Sequence, residues 1–292
     1  MNSRQLWRLL KQSFQEWQSD RASLLAAALA YYTALAIAPI LILVIAIAGF
    51  FLGQYSVQGE VFRQLQLRIG AQGAESIQLM LNHAGNHPSG TTATIVSLIL
   101  LFVSASGVFN QLRESLNLIW GVKVTPKFDL KRLVKKRILS FSMIPVIGFL
   151  LLISLAMSAI LSGLSEVLFG STRDWLPLLK FLNFLISSTV TTLLFALVYK
   201  VLPDVKVAWS DVWTGAVVTT LLFNIGEWAI GKYLANGGVS SIYGAAGSFV
   251  VLLLWIYYSA QIVLFGAEFT QVYANQYGSK IRAKFSAKVS SH

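Results

Sequence analysis

Two polar pairs interrupt otherwise greasy sequence. In NIGEW, Asn224 and Glu227 stand three apart, and in YYSAQIVLFGAEF, Gln261 and Glu268 stand seven apart, with Tyr258 three residues before Gln261. On a helix either spacing puts both groups on one face. Such groups inside an apolar helix could carry a proton, line a substrate path or hydrogen-bond a neighbouring helix. Nucleophilic and metal chemistry is poorly served. The 292 residues include no cysteine, and the histidines are His83, His87 and His292. His83 and His87 have helical spacing for a metal pair, but Pro88 and nearby glycines suit a loop and no HExxH glutamate accompanies them. No metal, cofactor or catalytic constellation is expected. Without a P-loop, ATP-driven transport by this chain alone is not expected either.

The elements that hold these residues follow from composition. Hydrophobic residues make up 55% of the chain and charged residues 12%, about half the ~25% of a globular domain. The chain therefore reads as a membrane protein. A helix needs about 20 mostly apolar residues to cross a ~30 Å hydrocarbon core. Six stretches qualify, at about 23–52, 91–112, 138–163, 178–201, 212–234 and 244–272. The first is too long for the apolar core of a cleavable signal peptide, and a polar segment precedes it.

With the N-terminus inside, the inner segments hold eighteen Lys and Arg and the outer ones four. That bias predicts an all-α, six-span protein with both termini cytoplasmic. Residues 1–21 form an amphipathic cytoplasmic helix, with Leu6, Leu10, Phe14 and Trp17 on one face. Residues 22–273 form the transmembrane domain, with short helices in the outer loop 53–90, and 274–292 a basic cytoplasmic tail. The net charge of +11 thus lies mainly inside, densest in KFDLKRLVKKR, where anionic head groups favour it. Specific nucleic-acid binding would want interleaved aromatics, and only Phe128 offers that. The expected partners are lipids, not nucleic acid, and a homo-oligomer stays open.

Within the spans, Ala26, Ala30, Ala34 and Ala38 recur every four residues, which favours close helix packing. Pro39 removes a backbone donor and predicts a kink, with Tyr31 one to two turns earlier. Glu227 lies in the outer half of the fifth span, where a carboxylate must be neutralised or paired. Lys180, on the antiparallel fourth span, and Lys232 are its candidate partners. In the last span, Gly247, Val251, Leu254, Tyr258, Gln261, Phe265 and Glu268 form one continuous face that should point into the bundle. Glu268 approaches the cytoplasmic interface, where Asn110 and Arg113 mark the exit of the second span. These residues give a substrate path of Glu227, Asn224, Tyr258, Gln261, Tyr31 and Lys180. An inner gate would comprise Glu268, Arg113 and Asn110.

Four stretches carry a family resemblance: AAALAYYTALAIAPILI, FNQLRESLNLIW, LPDVKVAWSDVWTGA and SIYGAAGSFVVLLLWIYYSAQIVLFGAEFT. The chain resembles the YihY/BrkB family over nearly its whole length, and Asp204, Gly215 and Gly244 also fall in these motifs. The resemblance implies a multi-pass protein of the bacterial inner membrane. It also implies a link to export of envelope lipids and an early ribonuclease BN label. That label fits badly, because metal-dependent RNA cleavage needs clustered His and Asp ligands that this sequence lacks. The expected function is transport or export of an amphipathic or anionic envelope substrate such as a lipid. The alternative is a structural or scaffolding protein of the envelope.

Overall fold

In the computed structural model of the chain, the structure describes residues 3–85, 106–123, 176–235, 246–279, 282–283 and 288–289. These are mostly helical: α1 (Ser3–Ser19), α2 (Ala22–Leu52), α3 (Gln54–Gly85), α4 (residues 106–119), α5 (Leu176–Val201), α6 (Trp209–Ala235) and α7 (Gly247–Gln276). Three of them contain stretches long and apolar enough to cross a membrane, at Ala22–Ile42, Phe181–Val201 and Gly247–Gln276. The fifth expected span forms helix α6. The third expected span, at 138–163, lies outside the described residues, as does most of the second.

The interior is organised around α2 and α7. Ala22, Ala26, Ala30, Ala34 and Ala38 are all buried, so the four-residue alanine repeat does face other helices. Its partner line on α7 runs through Leu252, Ile256, Ala260, Leu264 and Ala267, wholly or nearly wholly buried. The face expected from sequence is borne out at Gly247, Val251 and Glu268, which are buried, and corrected elsewhere. Leu254 is exposed, while Tyr258, Gln261 and Phe265 are only half-buried, because the small and aliphatic line packs closer to α2 than the polar one. Pro39 lies inside the helical run of α2.

Helices α6 and α7 meet through glycines. Gly215 stands against Thr270, Gly266 against Thr219 and the Tyr199 hydroxyl, and Gly226 against Tyr258 and Ile262. The numbers ascend on one helix as they descend on the other, so the pair is antiparallel. Thr219 and Thr270 return their hydroxyls to carbonyls four residues back, at 2.7 Å each, which satisfies them within their own helices. Small residues and self-satisfied hydroxyls permit the close approach that membrane helices use for packing.

One end of the bundle, the base, gathers α1, α4, the 202–208 loop and the tail. Helix α1 docks there through Leu9, which packs with Phe269 and Val272 of α7. Its buried line is therefore Leu9 and Ser13, whereas Leu6, Trp7 and Phe14 are exposed. The apolar face expected from sequence is thus divided between a docked edge and an outward one. Two short antiparallel pairings tie the tail down: β1 (Val122–Lys123) with β4 (Lys288–Val289), and β2 (Val205–Lys206) with β3 (Arg282–Ala283). Asp211, near the start of α6, completes the clasp by accepting hydrogen bonds from the Ser279 backbone (3.0 Å) and hydroxyl (2.8 Å).

Candidate functional site

Among the described residues, the base also holds a dense polar network. Arg113 and Asn117 lie one turn apart on α4 and reach the loop after α5. Arg113 donates to one carboxylate oxygen of Asp204. Asn117 donates to the other at 3.1 Å and accepts from the Asp204 backbone N–H at 2.8 Å. Two carboxylate oxygens and one amide are thereby held by a single helical turn, with the Arg113 side chain 9% exposed and that of Asp204 22%. Charge-assisted bonds of this sort fix geometry as well as charge. Asp204 is the partner that sequence spacing missed. It lies in a loop 91 residues from Arg113, and only its place in a shared motif drew notice to it.

Beside this lock, the α4 terminus is clipped to α7. The Trp120 indole N–H donates to the Ala267 carbonyl at 3.3 Å, and the Gln271 amide to the Ile119 carbonyl at 2.9 Å. Lys200 donates to the Val207 carbonyl and sits 5.3 Å from the centre of the Trp209 ring.

Glu268 follows Ala267 and is wholly buried, 0% exposed. Neither of its carboxylate oxygens has a hydrogen-bond partner among the described residues. Glu16 and Asp20, at the end of α1, are near enough for their charges to act on it. The Trp17 indole nitrogen, from the last turn of α1, is also buried, without a partner among the described residues. A buried acid without a partner is an expensive arrangement. The expected gate is thus split. Arg113 closes on Asp204 rather than on Glu268, and Asn110 lies exposed.

The expected path is divided as well. Asn224 faces α5, where its amide donates to the Ser188 hydroxyl at 3.0 Å. Nearby, Thr192 and Thr220 share a hydroxyl bond of 2.9 Å across the same seam. Tyr258 belongs to the other side of α6, with its hydroxyl against Gly226. Gln261, one turn further on, is half-buried, its carbonyl oxygen enclosed and without a partner among the described residues. Glu227 is half-buried. Lys180 lies on α5, its side chain outside the described positions, and Lys232 sits over the Trp228 ring at 4.6 Å. Tyr31 is 61% exposed and meets Tyr32 edge-on, while Tyr32 lies against Gly107. The His83 side chain and all of His87 fall outside the description. Among the described residues no group of three His, Cys, Asp or Glu is placed to hold a metal.

Apolar helices with hydroxyls and amides gathered into interhelical seams define an integral membrane protein of helical type. The family model described as Virulence factor BrkB matches residues 13–290, and the chain belongs to that family. Its relatives include a UPF0761 membrane protein of Tolumonas auensis, 28% identical, covering 86% of this chain and 80% of the relative. One from Aggregatibacter aphrophilus is 27% identical over 92% of both chains. One from Vibrio vulnificus is 30% identical, covering 86% of this chain and 77% of its own. No solved structure matches.

Proposed function

We propose that this protein moves an amphipathic or anionic envelope substrate, such as a lipid, across the bacterial inner membrane. Both of its termini lie in the cytoplasm, the base is its inner end, and six helices span. The reading is supported above all by Glu268. A wholly buried carboxylate without a hydrogen-bond partner among the described residues destabilises a resting structure. Retaining it makes sense where its charge changes during a cycle. Glu268 is then the group that takes up and releases a proton. The Arg113–Asp204–Asn117 lock holds the inner end closed, and its opening lets water and substrate reach the Glu268 region. Gln261, with its enclosed oxygen about two turns further into the bundle, is the next polar station on α7.

A second reading is favoured by a specific observation. The Asn224–Ser188, Thr192–Thr220 and Tyr199–Thr219 bonds satisfy polar groups between helices, as a purely structural bundle would. One experiment separates the two. Thermal stability in detergent is measured for wild type and Glu268→Gln with phosphatidylethanolamine, phosphatidylglycerol, cardiolipin and a lipid A precursor, at two pH values. Transport predicts one lipid whose stabilising effect depends on pH in the wild type and loses that dependence in the variant. Equal response to every lipid, with the variant merely shifted in stability, sinks the transport reading.

A further inference from the structure

The segment from Gln54 to Gly85 is too polar to cross a membrane as plain helix, and from sequence it reads as short helices in an outer loop. Its packing places it elsewhere. The backbone breaks at Gly70, whose φ of 78° and ψ of 170° suit glycine alone, so α3 is two helices joined at a tip. Near the open end, Val57 and Val61 pack with Ile45 of α2. Leu65 and Leu81, like Leu41 of α2, pack against both this cluster and the one nearer the tip. Closest to the tip, Ala74 and Ile77 are 0% exposed and share a cluster with Ala30 and Ala34 of α2 and Leu252 and Ile256 of α7. The first arm therefore descends along α2 and the second climbs back.

The depth follows from the rise per residue. Ala34 lies 8 residues before Ile42, where the stretch able to cross a membrane ends, about 12 Å along the helix axis. Ala30, Ala34, Leu252 and Ile256 all lie within the stretches able to cross a membrane. The tip thus reaches the hydrocarbon layer. Its outward side is nevertheless polar. Arg63 and Gln66 are exposed on the first arm, and Glu75, Gln78 and Asn82 on the second, at spacings of three and four within each arm, with Leu79 exposed among them. Charged and amide groups facing acyl chains are costly, and irregular backbone at membrane depth is tolerated only against protein or water.

We infer that Gln54–Gly85 is a re-entrant hairpin whose outward side lines a water-filled vestibule, opening at the end opposite the base and reaching the level of Ala34. This stands whether or not the protein transports. It goes beyond the transport reading, because its evidence is the packing of α3 and does not involve Glu268.

The absence of native cysteine makes the test direct. In native membranes, the double variant Ile77→Cys with Leu252→Cys is treated with copper phenanthroline, beside Val61→Cys with Ile45→Cys. Single variants Glu75→Cys, Gln78→Cys and Leu35→Cys are exposed to a membrane-impermeant cationic methanethiosulfonate in sealed vesicles of each orientation. Leu35 is an exposed apolar residue beside Ala34, and serves as the lipid-facing reference at that depth. Both pairs should cross-link, and Glu75→Cys and Gln78→Cys should react from one side at least tenfold faster than Leu35→Cys. Failure of the Ile77–Leu252 pair while the Val61–Ile45 pair forms would make the segment a surface lid and overturn the placement. Failure of both pairs overturns the hairpin. Cross-linking of both without fast labelling would mean that lipid or a second copy covers that side, and would overturn the vestibule. Two independent labelled positions guard against one variant misfolding.

Discussion

Replacing Gly266 with alanine adds a methyl group where the seam between α6 and α7 has no room. The new carbon would lie 1.9 Å from the Thr219 hydroxyl oxygen and 2.6 Å from the Tyr199 hydroxyl. Neither group is a loose end. Thr219 returns its hydroxyl to the Gly215 carbonyl at 2.7 Å, and Tyr199 donates to the Val263 carbonyl at 2.7 Å. Tyr199 is fully buried and meets Trp120 edge-on, so it cannot swing away without disturbing the base. Overpacking of this kind costs about 1–3 kcal/mol, and disrupting a Tyr199 hydrogen bond adds about 1 kcal/mol. Together the loss is roughly 2–4 kcal/mol. Reversible unfolding in mixed micelles reads it for Gly266→Ala, Thr219→Ala and the double variant. Thr219→Ala removes the nearest clashing atom, the hydroxyl, while the Thr219 Cβ at 2.9 Å and the Tyr199 hydroxyl stay in place, so the double variant should be more stable than the sum of the singles by about 1 kcal/mol. A Gly266→Ala protein as stable as wild type, or strict additivity, would refute the close seam.

Other perturbations probe the remaining parts. Gly70→Ala meets no atom within 4 Å, so its effect isolates the backbone strain of a positive φ; a loss of about 1–3 kcal/mol is expected, whereas Gly59→Ala, also in open space and on α3, should lose none. Asp204→Ala strands Arg113 and Asn117 at the base and should lower stability by roughly 2–4 kcal/mol, while the joint change Asp204→Leu with Arg113→Met should recover part of it; equal losses would mean that the ion pair is not the cause. Asp211→Ala removes the acceptor for the Ser279 backbone and hydroxyl, so protease cleavage after Lys280 or Arg282 should accelerate severalfold with the helices intact, and an unchanged cleavage rate would argue against the clasp.

What was legible in the sequence was mostly periodic. The apolar runs gave the helices, and the alanine repeat gave the buried edge of α2, because small residues every four positions admit few alternatives. The α7 face was only half legible. Gln261 and Glu268 attracted a polar stripe that included Leu254, yet the line packed against α2 is the aliphatic one through Ile256 and Ala260. Long-range pairing left little trace. Nothing in the spacing of Arg113 told it to meet Asp204, since a loop residue carries no period. Asn224 and Glu227 share a face, as their spacing requires, but the neighbour that Asn224 meets is Ser188 on α5 rather than a path shared with Tyr258. The hairpin is the hardest case, because a segment too polar to span reads as a loop until its partners are known.

The central claim, that Glu268 couples proton exchange to movement of an envelope lipid, is tested most directly by flux. Wild type and Glu268→Gln are reconstituted into phosphatidylethanolamine and phosphatidylglycerol liposomes carrying a trace of head-group-labelled phosphatidylglycerol or labelled lipid A precursor. A pH gradient is imposed, and the tracer on each leaflet is followed by dithionite quenching. The account predicts gradient-dependent movement of at least one tracer by the wild type, slowed at least tenfold in Glu268→Gln. Movement no faster than in empty liposomes for either tracer, or equal rates in the two proteins, would contradict it.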